Sequence, residues 1–325
     1  MQQLATEPER ILDTSFITQQ PNLVIAAIYF LFGLVFGSFL NVCIYRLPRE
    51  LSVVSPRSAC PNCGAPIAFY DNIPVLSWAI LRGRCRNCGA RISPRYAIVE
   101  LVTGLLFALS FYSASSGPES IKLSAFCFLI VGLIFTDAET HLLPDLLTKP
   151  GIVAGLIFSL WVPLRDGPAM LLARSLRMPP LISLLNSLAG AILGSAFILC
   201  VAVAYEALRG EEGMGRGDVK LMALIGAFLG VKLTLLVLLL GSLVGSIFGM
   251  ALMVMVWFKR MARRRQRHPD ESASERRTRA WYSARLVYRH FEIPFGVFLG
   301  IAALVAAFAG QRMIDWYFGL YRLHG

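Results

Sequence analysis

The sequence predicts an all-α polytopic membrane protein with about eight transmembrane helices and one small domain outside the bilayer. Hydrophobic residues make up 56% of the chain and charged residues only 16%, whereas a soluble domain is about one quarter charged. The mean hydropathy is +0.62. A globular core cannot contain this much apolar side chain, so much of the surface must face lipid.

The apolar residues fall into separate runs, and a spanning helix needs about 20 of them, fewer when its ends are anchored or paired. The predicted spans are Leu23–Tyr45, Tyr96–Tyr112, Ile121–Thr136, Pro150–Leu164, Leu181–Tyr205, Leu221–Leu229, Leu233–Phe258 and Ile293–Ala309. The sixth is too short to span alone, and we expect it to join the polar stretch before it. The first is too long for a cleaved signal peptide and lacks a short basic segment before it.

The positions of Lys and Arg predict the orientation, because basic loops stay in the cytoplasm. The most basic segments are Arg46–Arg95 and Lys259–Arg289. Placing both in the cytoplasm puts the N- and C-termini in the periplasm, although the weakly basic loop with Arg165, Arg174 and Arg177 then conflicts. We attribute the net charge of +11 mainly to topology. Binding of anionic lipid is a second use, and we expect no nucleic-acid partner.

Four of the seven cysteines form two Cys-x-x-Cys pairs in the first basic loop, and a glycine follows each pair. The cysteines are Cys60, Cys63, Cys85 and Cys88. Four thiolates suit a tetrahedral Zn²⁺ of structural type, since no coordination position stays open. The 21 residues between the pairs slightly exceed the usual zinc-ribbon spacing. Disulfides and a redox pair are the alternatives, and a cytoplasmic loop disfavours disulfides.

These features predict three regions. Residues 1–45 form an N-terminal tail and the first transmembrane helix. Residues 46–95 form a cytoplasmic tetracysteine domain, which is small enough to need a metal for stability. Residues 96–325 form a transmembrane domain that includes the basic loop 259–291.

Two aspartates adjoin apolar helices at predicted cytoplasmic ends. Asp137 follows the third span, and Asp218 follows Gly215 and Gly217 just before the sixth. A charge left in hydrocarbon costs a few kcal/mol, so these positions suggest a function. Two adjacent carboxylates share one proton, so one can activate water while the other polarises a carbonyl. The two glycines would let the backbone bend and let a substrate strand approach.

A structural role is the alternative for both aspartates, since Asp218 could cap its helix and either could pair with arginine. The remaining nearby acids are interpreted as solvated loop charges. They are Glu139, Asp145, Glu211 and Glu212.

With these motifs the sequence resembles the type IV prepilin peptidases, or leader peptidase/N-methyltransferases, which are GxGD-type intramembrane aspartic proteases. The resemblance covers nearly the whole chain. Its motifs are Gly37–Val42, Tyr45–Pro48, Arg57–Cys63, Asn72–Trp78, Leu81–Cys88, Ile92–Tyr96, Glu100, Asp137, Leu143–Asp145, Gly215–Asp218 and Pro294–Gly296.

The resemblance implies a bifunctional enzyme of the bacterial inner membrane. Members cleave the leader of type IV prepilins and of type II secretion pseudopilins at the cytoplasmic face, then methylate the new N-terminus with S-adenosylmethionine. The family's catalytic aspartates correspond to Asp137 and Asp218, and its tetracysteine site to the four loop cysteines. Methyl transfer is associated with the cysteine loop, where Gly83, Arg84 and Glu100 resemble recurring positions.

Three other functions remain as alternatives: a peptidase that only cleaves, a proton-coupled transporter and a non-catalytic zinc scaffold. A transporter would favour charges near the bilayer midplane within repeated halves, and no internal repeat is visible here. The segments 162–180 and 259–289 are longer than the family resemblance leads us to expect.

Overall fold

The computed structural model describes residues 15–164, 179–210, 215–267, 270–289 and 294–324. Within these ranges the chain is helical apart from turns, loops and two isolated β-bridges, which confirms the all-α prediction. The helices are α1 (Ser15–Arg46), α2 (Leu76–Ile80), α3 (Arg95–Ser113), α4 (Gly117–Thr140), α5 (Asp145–Trp161), α6 (Pro179–Arg209), α7 (Arg216–Arg267), α8 (Ala273–Arg289) and α9 (Phe295–His324). The loop with Arg165, Arg174 and Arg177 lies outside the described ranges.

Among the described residues, 6 helices are long and apolar enough to cross a membrane, namely α1, α3, α4, α6, α7 and α9. This count is two below the predicted number of about eight. Helix α5, with 17 residues, is at the short end of the length that a span needs. The sixth and seventh predicted spans both lie in α7, on either side of a non-helical Gly230. The chain is a multi-pass membrane protein.

Helix α7 bends at Gly230, whose φ of 75° and ψ of −179° are not helical. The bend separates segment 216–229 from segment 231–267. The first segment begins at Arg216, so it includes the polar stretch before the apolar run, as predicted. Only glycine adopts this backbone conformation readily, which explains the residue at the bend.

The chain divides into two compact units, and the first contains Met1–Leu40 and Ser58–Ser124. Here α1 and α3 lie close together. A Cβ atom added to Gly33 would lie 2.7 Å from Cα of Gly104, and one added to Gly37 would lie 2.7 Å from Cα of Glu100. Glycines four residues apart permit such contact between membrane helices. The cysteine loop, with the short helix α2, belongs to this unit.

The second unit contains Asn41–Arg57 and Ala125–Gly325. Its apolar core lies around the first half of α7, with the rings of Phe126 and Phe228 in contact at 5.1 Å between centroids. Buried side chains from α4, α5, α6, α7 and α9 complete it, among them Ile130, Leu133, Leu147, Ile198, Leu221, Leu224, Ile225 and Leu299. This core holds the end of α4 and the start of α7 in fixed positions.

Helices α6 and α7 touch through their backbones. A Cβ atom on Gly190 would lie 2.6 Å from the carbonyl oxygen of Gly226, and one on Gly226 would overlap the carbonyl group of Gly190. The hydroxyl of Ser187 donates to the carbonyl oxygen of Ala227 at 2.6 Å. The short segment 216–229 is therefore packed against a neighbouring helix.

Candidate active site

Asp137 and Asp218 lie close together at the ends of two helices. Asp137 is in the last turn of α4 and is 5% exposed, while Asp218 is in the first turn of α7 and is 8% exposed. A Cβ atom on Gly296 would lie 2.8 Å from Oδ2 of Asp137 and 3.3 Å from Oδ1 of Asp218. Both carboxylates therefore face the backbone at Gly296. Oδ2 of Asp137 and Oδ1 of Asp218 lie close to each other, since both are near this one position.

The N-terminus of α9 completes this arrangement. The backbone N–H of Val297 donates to Oδ2 of Asp137 at 3.0 Å, and the N–H groups of a first helical turn have no partner within the helix. Gly296 leaves room for both carboxylates because it has no side chain. The sequence alone indicates no individual role for Gly296 or Val297, although Gly296 belongs to the family motif Pro294–Gly296.

The two glycines before Asp218 differ in their surroundings. A Cβ atom on Gly217 would lie 3.1 Å from Cβ of Leu143, whereas one on Gly215 would meet only the nitrogen of Gly217, at 3.9 Å. Neither has a positive φ. Close packing against Leu143, in the loop after α4, thus explains why residue 217 is a glycine. A strained turn explains neither Gly215 nor Gly217.

Asp145 does not match its interpretation as a solvated loop charge. It is the first residue of α5. Its carboxylate pairs with the ammonium groups of Lys149, at 2.6 Å, and of Lys220. Lys220 lies two residues after Asp218, so this ion pair links α5 to the start of α7.

The two cysteine pairs form knuckles with the same backbone geometry. In the first, the N–H of Cys60 donates to the carbonyl of Ala65 at 2.9 Å and that of Gly64 to Cys60 at 2.9 Å. In the second, Cys85 donates to Ala90 at 2.8 Å and Gly89 to Cys85 at 2.9 Å. The two glycines have φ values of 69° and 70°, so each turn depends on the freedom of glycine.

The four sulfur atoms converge. Those of Cys60, Cys63, Cys85 and Cys88 all lie within 4.8 Å of one another, and the distance from Cys60 to Cys88 is 3.8 Å. Four sulfurs about a tetrahedral Zn²⁺ at roughly 2.3 Å would be about 3.8 Å apart. None of the seven cysteines, all of which lie in the described ranges, forms a disulfide. The cluster fits a tetrahedral metal ion.

Polar groups around the sulfurs support this fit. The amide of Asn62 donates to the sulfur of Cys88 at 3.6 Å, and that of Asn87 donates to the sulfur of Cys63 at 3.7 Å. A hydrogen bond from the backbone at Ala90 is the main reason that the pKa of Cys88 is lowered to about 6. The lowered pKa favours the thiolate form, which is the form that binds metal.

The second knuckle is anchored to the rest of its loop by Arg86. Its guanidinium binds both carboxylate oxygens of Asp71, with Nε to Oδ2 at 2.8 Å and Nη2 to Oδ1 at 2.6 Å. These hydrogen bonds from Arg86 hold the pKa of Asp71 below its ordinary value.

A cavity of about 440 Å³ opens beside this knuckle. It is lined by Trp78, Arg82, Gly83, Arg84, Arg91, Ile92, Ser93 and Pro94. Gly83 has a φ of 64°, and a Cβ atom there would lie 3.0 Å from the indole ring of Trp78. The indole N–H donates to the carbonyl oxygen of Ile92 at 3.2 Å. Trp78 is thus fixed as one wall of the cavity.

Comparison with known proteins gives consistent results. Residues 31–114 match the bacterial peptidase A24 N-terminal domain, and residues 123–250 match the type IV leader peptidase family. A prepilin leader peptidase/N-methyltransferase of Aeromonas salmonicida (strain A449) is 34% identical over 319 residues, which cover 90% of this chain and 93% of the relative. The chain belongs to the type IV leader peptidase family.

Two further relatives are also named prepilin leader peptidase/N-methyltransferase. The protein from Aeromonas hydrophila is 34% identical over 315 residues, covering 90% of this chain and 93% of the relative. The protein from Klebsiella pneumoniae is 39% identical over 236 residues, covering 70% of this chain and 94% of the relative. No solved structure matches the chain.

In this leader peptidase family member, the structure groups only some of the predicted site residues. It brings together Asp137 and Asp218, the four cysteines, and Gly83 with Arg84. Glu100 does not line the cavity. Its Oε2 instead accepts the backbone N–H of Val75 at 2.7 Å, where the backbone has the unusual φ of 59°.

Proposed function

We propose that this protein is a bifunctional prepilin leader peptidase and N-methyltransferase of the bacterial inner membrane. It cleaves the leader of type IV prepilins and type II secretion pseudopilins and then methylates the new N-terminal residue. The observation that carries the proposal is the shared position of the Asp137 and Asp218 carboxylates against Gly296. The names of the relatives support the pair of activities.

Cleavage follows from a carboxylate pair that shares one proton. The ionised carboxylate removes a proton from water, and the water oxygen bonds to the scissile carbonyl carbon. The protonated partner gives its proton to the carbonyl oxygen. When this intermediate collapses, the C–N bond breaks and the amine takes up the proton that came from water. One hydroxyl of the intermediate returns its proton to the second carboxylate, which restores the pair.

The surroundings of the pair support different roles for its members. The N–H of Val297 points at Asp137, and hydrogen bonds to an ionised oxygen are the stronger ones. We therefore assign Asp137 to water activation and Asp218 to the proton-donating role. Gly215 and Gly217 support the start of α7, and Gly217 does so through its contact with Leu143.

The tetracysteine cluster is assigned to a structural Zn²⁺, with Cys60, Cys63, Cys85 and Cys88 as the four ligands. Their convergence and the amides of Asn62 and Asn87 support this assignment. Outer-shell partners of this kind orient metal ligands. The ion would hold the two knuckles together.

The methyl donor is assigned to the cavity beside the second knuckle. S-adenosylmethionine supplies the methyl group for transfer. Arg84 and Arg82 can bind its carboxylate, and the indole of Trp78 offers a flat apolar surface for its adenine. A volume of about 440 Å³ suits such a ligand. Glu100 acts through the backbone at Val75, as a positioning residue.

The orientation and domain division are part of the same proposal. The basic segments Arg46–Arg95 and Lys259–Arg289 support a cytoplasmic active site with both termini in the periplasm. Residues 1–45 are then the tail and first helix, 46–95 the tetracysteine domain linked to methyl transfer, and 96–325 the peptidase domain with its basic loop 259–291.

Mass spectrometry of a co-expressed prepilin tests the proposal, because one spectrum reports leader loss and the added methyl group separately. We expect Asp137→Asn and Asp218→Asn each to abolish cleavage at normal protein levels in the membrane. Asp315→Asn, which changes an exposed aspartate of α9, serves as the matched control and should cleave normally. Continued processing by either Asp137→Asn or Asp218→Asn would refute the mechanism. Cleaved but unmethylated product from the unaltered protein would indicate a cleavage-only enzyme.

A further inference from the structure

Residues 259–267 at the end of α7 and helix α8 form a strongly basic structure, which we call the basic hairpin. The apolar run of α7 ends at Phe258, and Lys259 and Arg260 follow it directly. Helix α8 then returns along α7: Glu271 contacts Arg264, and further along Arg277 contacts Trp257. Ala280 and Ala284 are fully buried, so α8 packs tightly.

A cleft lies where the basic hairpin meets the apolar part of α7. Its volume is about 450 Å³, and its lining residues are Val254, Trp257, Arg277, Thr278 and Trp281. The proposed catalysis, metal binding and methyl transfer use none of them.

The cleft combines one cationic side chain with apolar ones. The guanidinium of Arg277 lies 5.6 Å from the ring centre of Trp257. The indole N–H of Trp257 donates to the backbone carbonyl of Arg277 at 3.4 Å, which joins the two helices. Val254 and Trp281 are apolar and exposed, by 45% and 44%. The cleft thus offers one cation beside apolar surface.

The depth of the cleft in the membrane follows from the sequence around it. Tryptophan is enriched at the level of lipid headgroups, and Lys and Arg lie just beyond it. Trp257 and Trp281 mark that level here, because α7 changes from apolar to basic immediately after Phe258. The cleft therefore lies near the membrane surface, where acyl chains meet headgroups.

The ion pairs described within the basic hairpin do not involve Arg277. Glu271 binds both Arg264 and Arg279, at 2.9 Å each. Among the residues that the structure describes, Arg277 and Arg285 form no ion pair, and both are exposed. No acid in the described ranges neutralises the positive charge at the cleft.

We propose that this cleft binds an anionic phospholipid of the surrounding bilayer, with Arg277 pairing with the phosphate and the acyl chains lying along Val254 and Trp281. The bound lipid holds the basic hairpin against the membrane surface. A polybasic segment beside a membrane helix attracts anionic lipid, and each Arg near the surface contributes about 1 kcal/mol.

Native mass spectrometry of the full chain released from nanodiscs tests this inference. Nanodiscs of phosphatidylglycerol mixed with phosphatidylcholine provide the two competing lipids. We expect the protein to retain phosphatidylglycerol preferentially, and Arg277→Gln to lower its retention about fivefold. Arg285→Gln removes the same charge from α8 outside the cleft and should change retention less than twofold.

Three results would overturn the inference. The first is equal retention of the two lipids. The second is an equal loss in Arg277→Gln and Arg285→Gln, which would indicate a diffuse charge effect and no defined site. Displacement of the lipid by the same concentration of inorganic phosphate would likewise contradict a lipid-specific cleft. Normal size-exclusion profiles and prepilin cleavage in detergent should show that Arg277→Gln is folded.

Discussion

The ammonium group of Lys220 in α7 forms an ion pair with the carboxylate of Asp145 at the start of α5. Lys149, one helical turn after Asp145, binds the same carboxylate. Only the pair with Lys220 connects two helices. Since Lys220 lies two residues after Asp218, this pair helps to set the position of the proposed catalytic aspartate.

Asp145→Asn should therefore reduce activity more than stability. Half-exposed ion pairs contribute about 0–1 kcal/mol, so the melting temperature should change little. Misplacing a catalytic group is more costly, and we expect kcat for leader cleavage to fall about tenfold with KM nearly unchanged. Lys149→Gln removes the local partner alone and should cleave normally. An equal fall in both variants would argue against a positioning role.

Gly296→Ala should abolish leader cleavage without unfolding the protein. The new methyl group would lie 2.8 Å from Oδ2 of Asp137 and 3.3 Å from Oδ1 of Asp218, so the two carboxylates must move apart. We expect a loss of at least about a hundredfold in a prepilin processing assay. Gly319→Ala, in the same helix with no atom within 4 Å of the added Cβ, is the control. Normal processing by Gly296→Ala would contradict the geometry of the site.

Gly226→Ala should destabilise the second unit, because its Cβ would overlap the backbone of Gly190. A backbone cannot rotate away as a side chain can, so α6 and α7 must separate. Overpacking of this kind costs about 1–3 kcal/mol, and thermal unfolding in detergent should register it. Gly245→Ala in the same helix brings its Cβ no closer than 3.6 Å to any atom, and its melting temperature should stay within error of the parent protein.

Metal removal should separate the two proposed activities. Cys60→Ser removes one of four ligands, so we expect bound zinc, measured by elemental mass spectrometry, to fall several-fold. The prepilin product should then lose its methyl group while the leader is still removed. Cys200→Ser changes an exposed thiol of α6 that is outside the cluster and should leave both readouts unchanged. Full methylation of the product by zinc-free protein would show that methyl transfer does not depend on the cluster.

The basic hairpin should open in acid because of Glu271. Hydrogen bonds from Arg264 are the largest cause that lowers the pKa of Glu271 from 4.5 to about 2. The folded pKa lies below the unfolded one, so the stabilisation is complete above about pH 4.5 and disappears as the pH falls toward 2. Amide hydrogen exchange of α8 should rise across that window. Glu271→Gln should show the rise already at neutral pH, whereas Asp270→Asn should not.

Local patterns were enough to predict part of this structure. The repeated Cys-x-x-Cys-Gly predicted the sulfur cluster because each knuckle is formed by consecutive residues. The apolar runs predicted the helical segments for the same reason. The count of spans was less accurate, since the kink at Gly230 and the 17-residue length of α5 depend on tertiary packing.

The rest of the structure depends on contacts between residues far apart in the sequence, and such contacts leave no local sequence pattern. Nothing near Asp137 in the chain indicates that Gly296 and Val297 lie beside it. The link between Asp145 and Lys220 was missed because an acid at a helix start also fits a solvated cap. Glu100 was grouped with Gly83 and Arg84 through family resemblance, whereas its hydrogen bond to Val75 could be found only in three dimensions.

Each knuckle contributes an asparagine that donates a hydrogen bond to a sulfur of the other knuckle. Each half of the cysteine loop therefore depends on the other. Asn62 serves a sulfur of the second knuckle, and Asn87 serves a sulfur of the first. A chain that has emerged from the ribosome only as far as Cys63 has two thiols but lacks both the other ligands and the amide that reaches Cys63. The complete proposed zinc site would therefore exist only once residues 60–88 have all been synthesised.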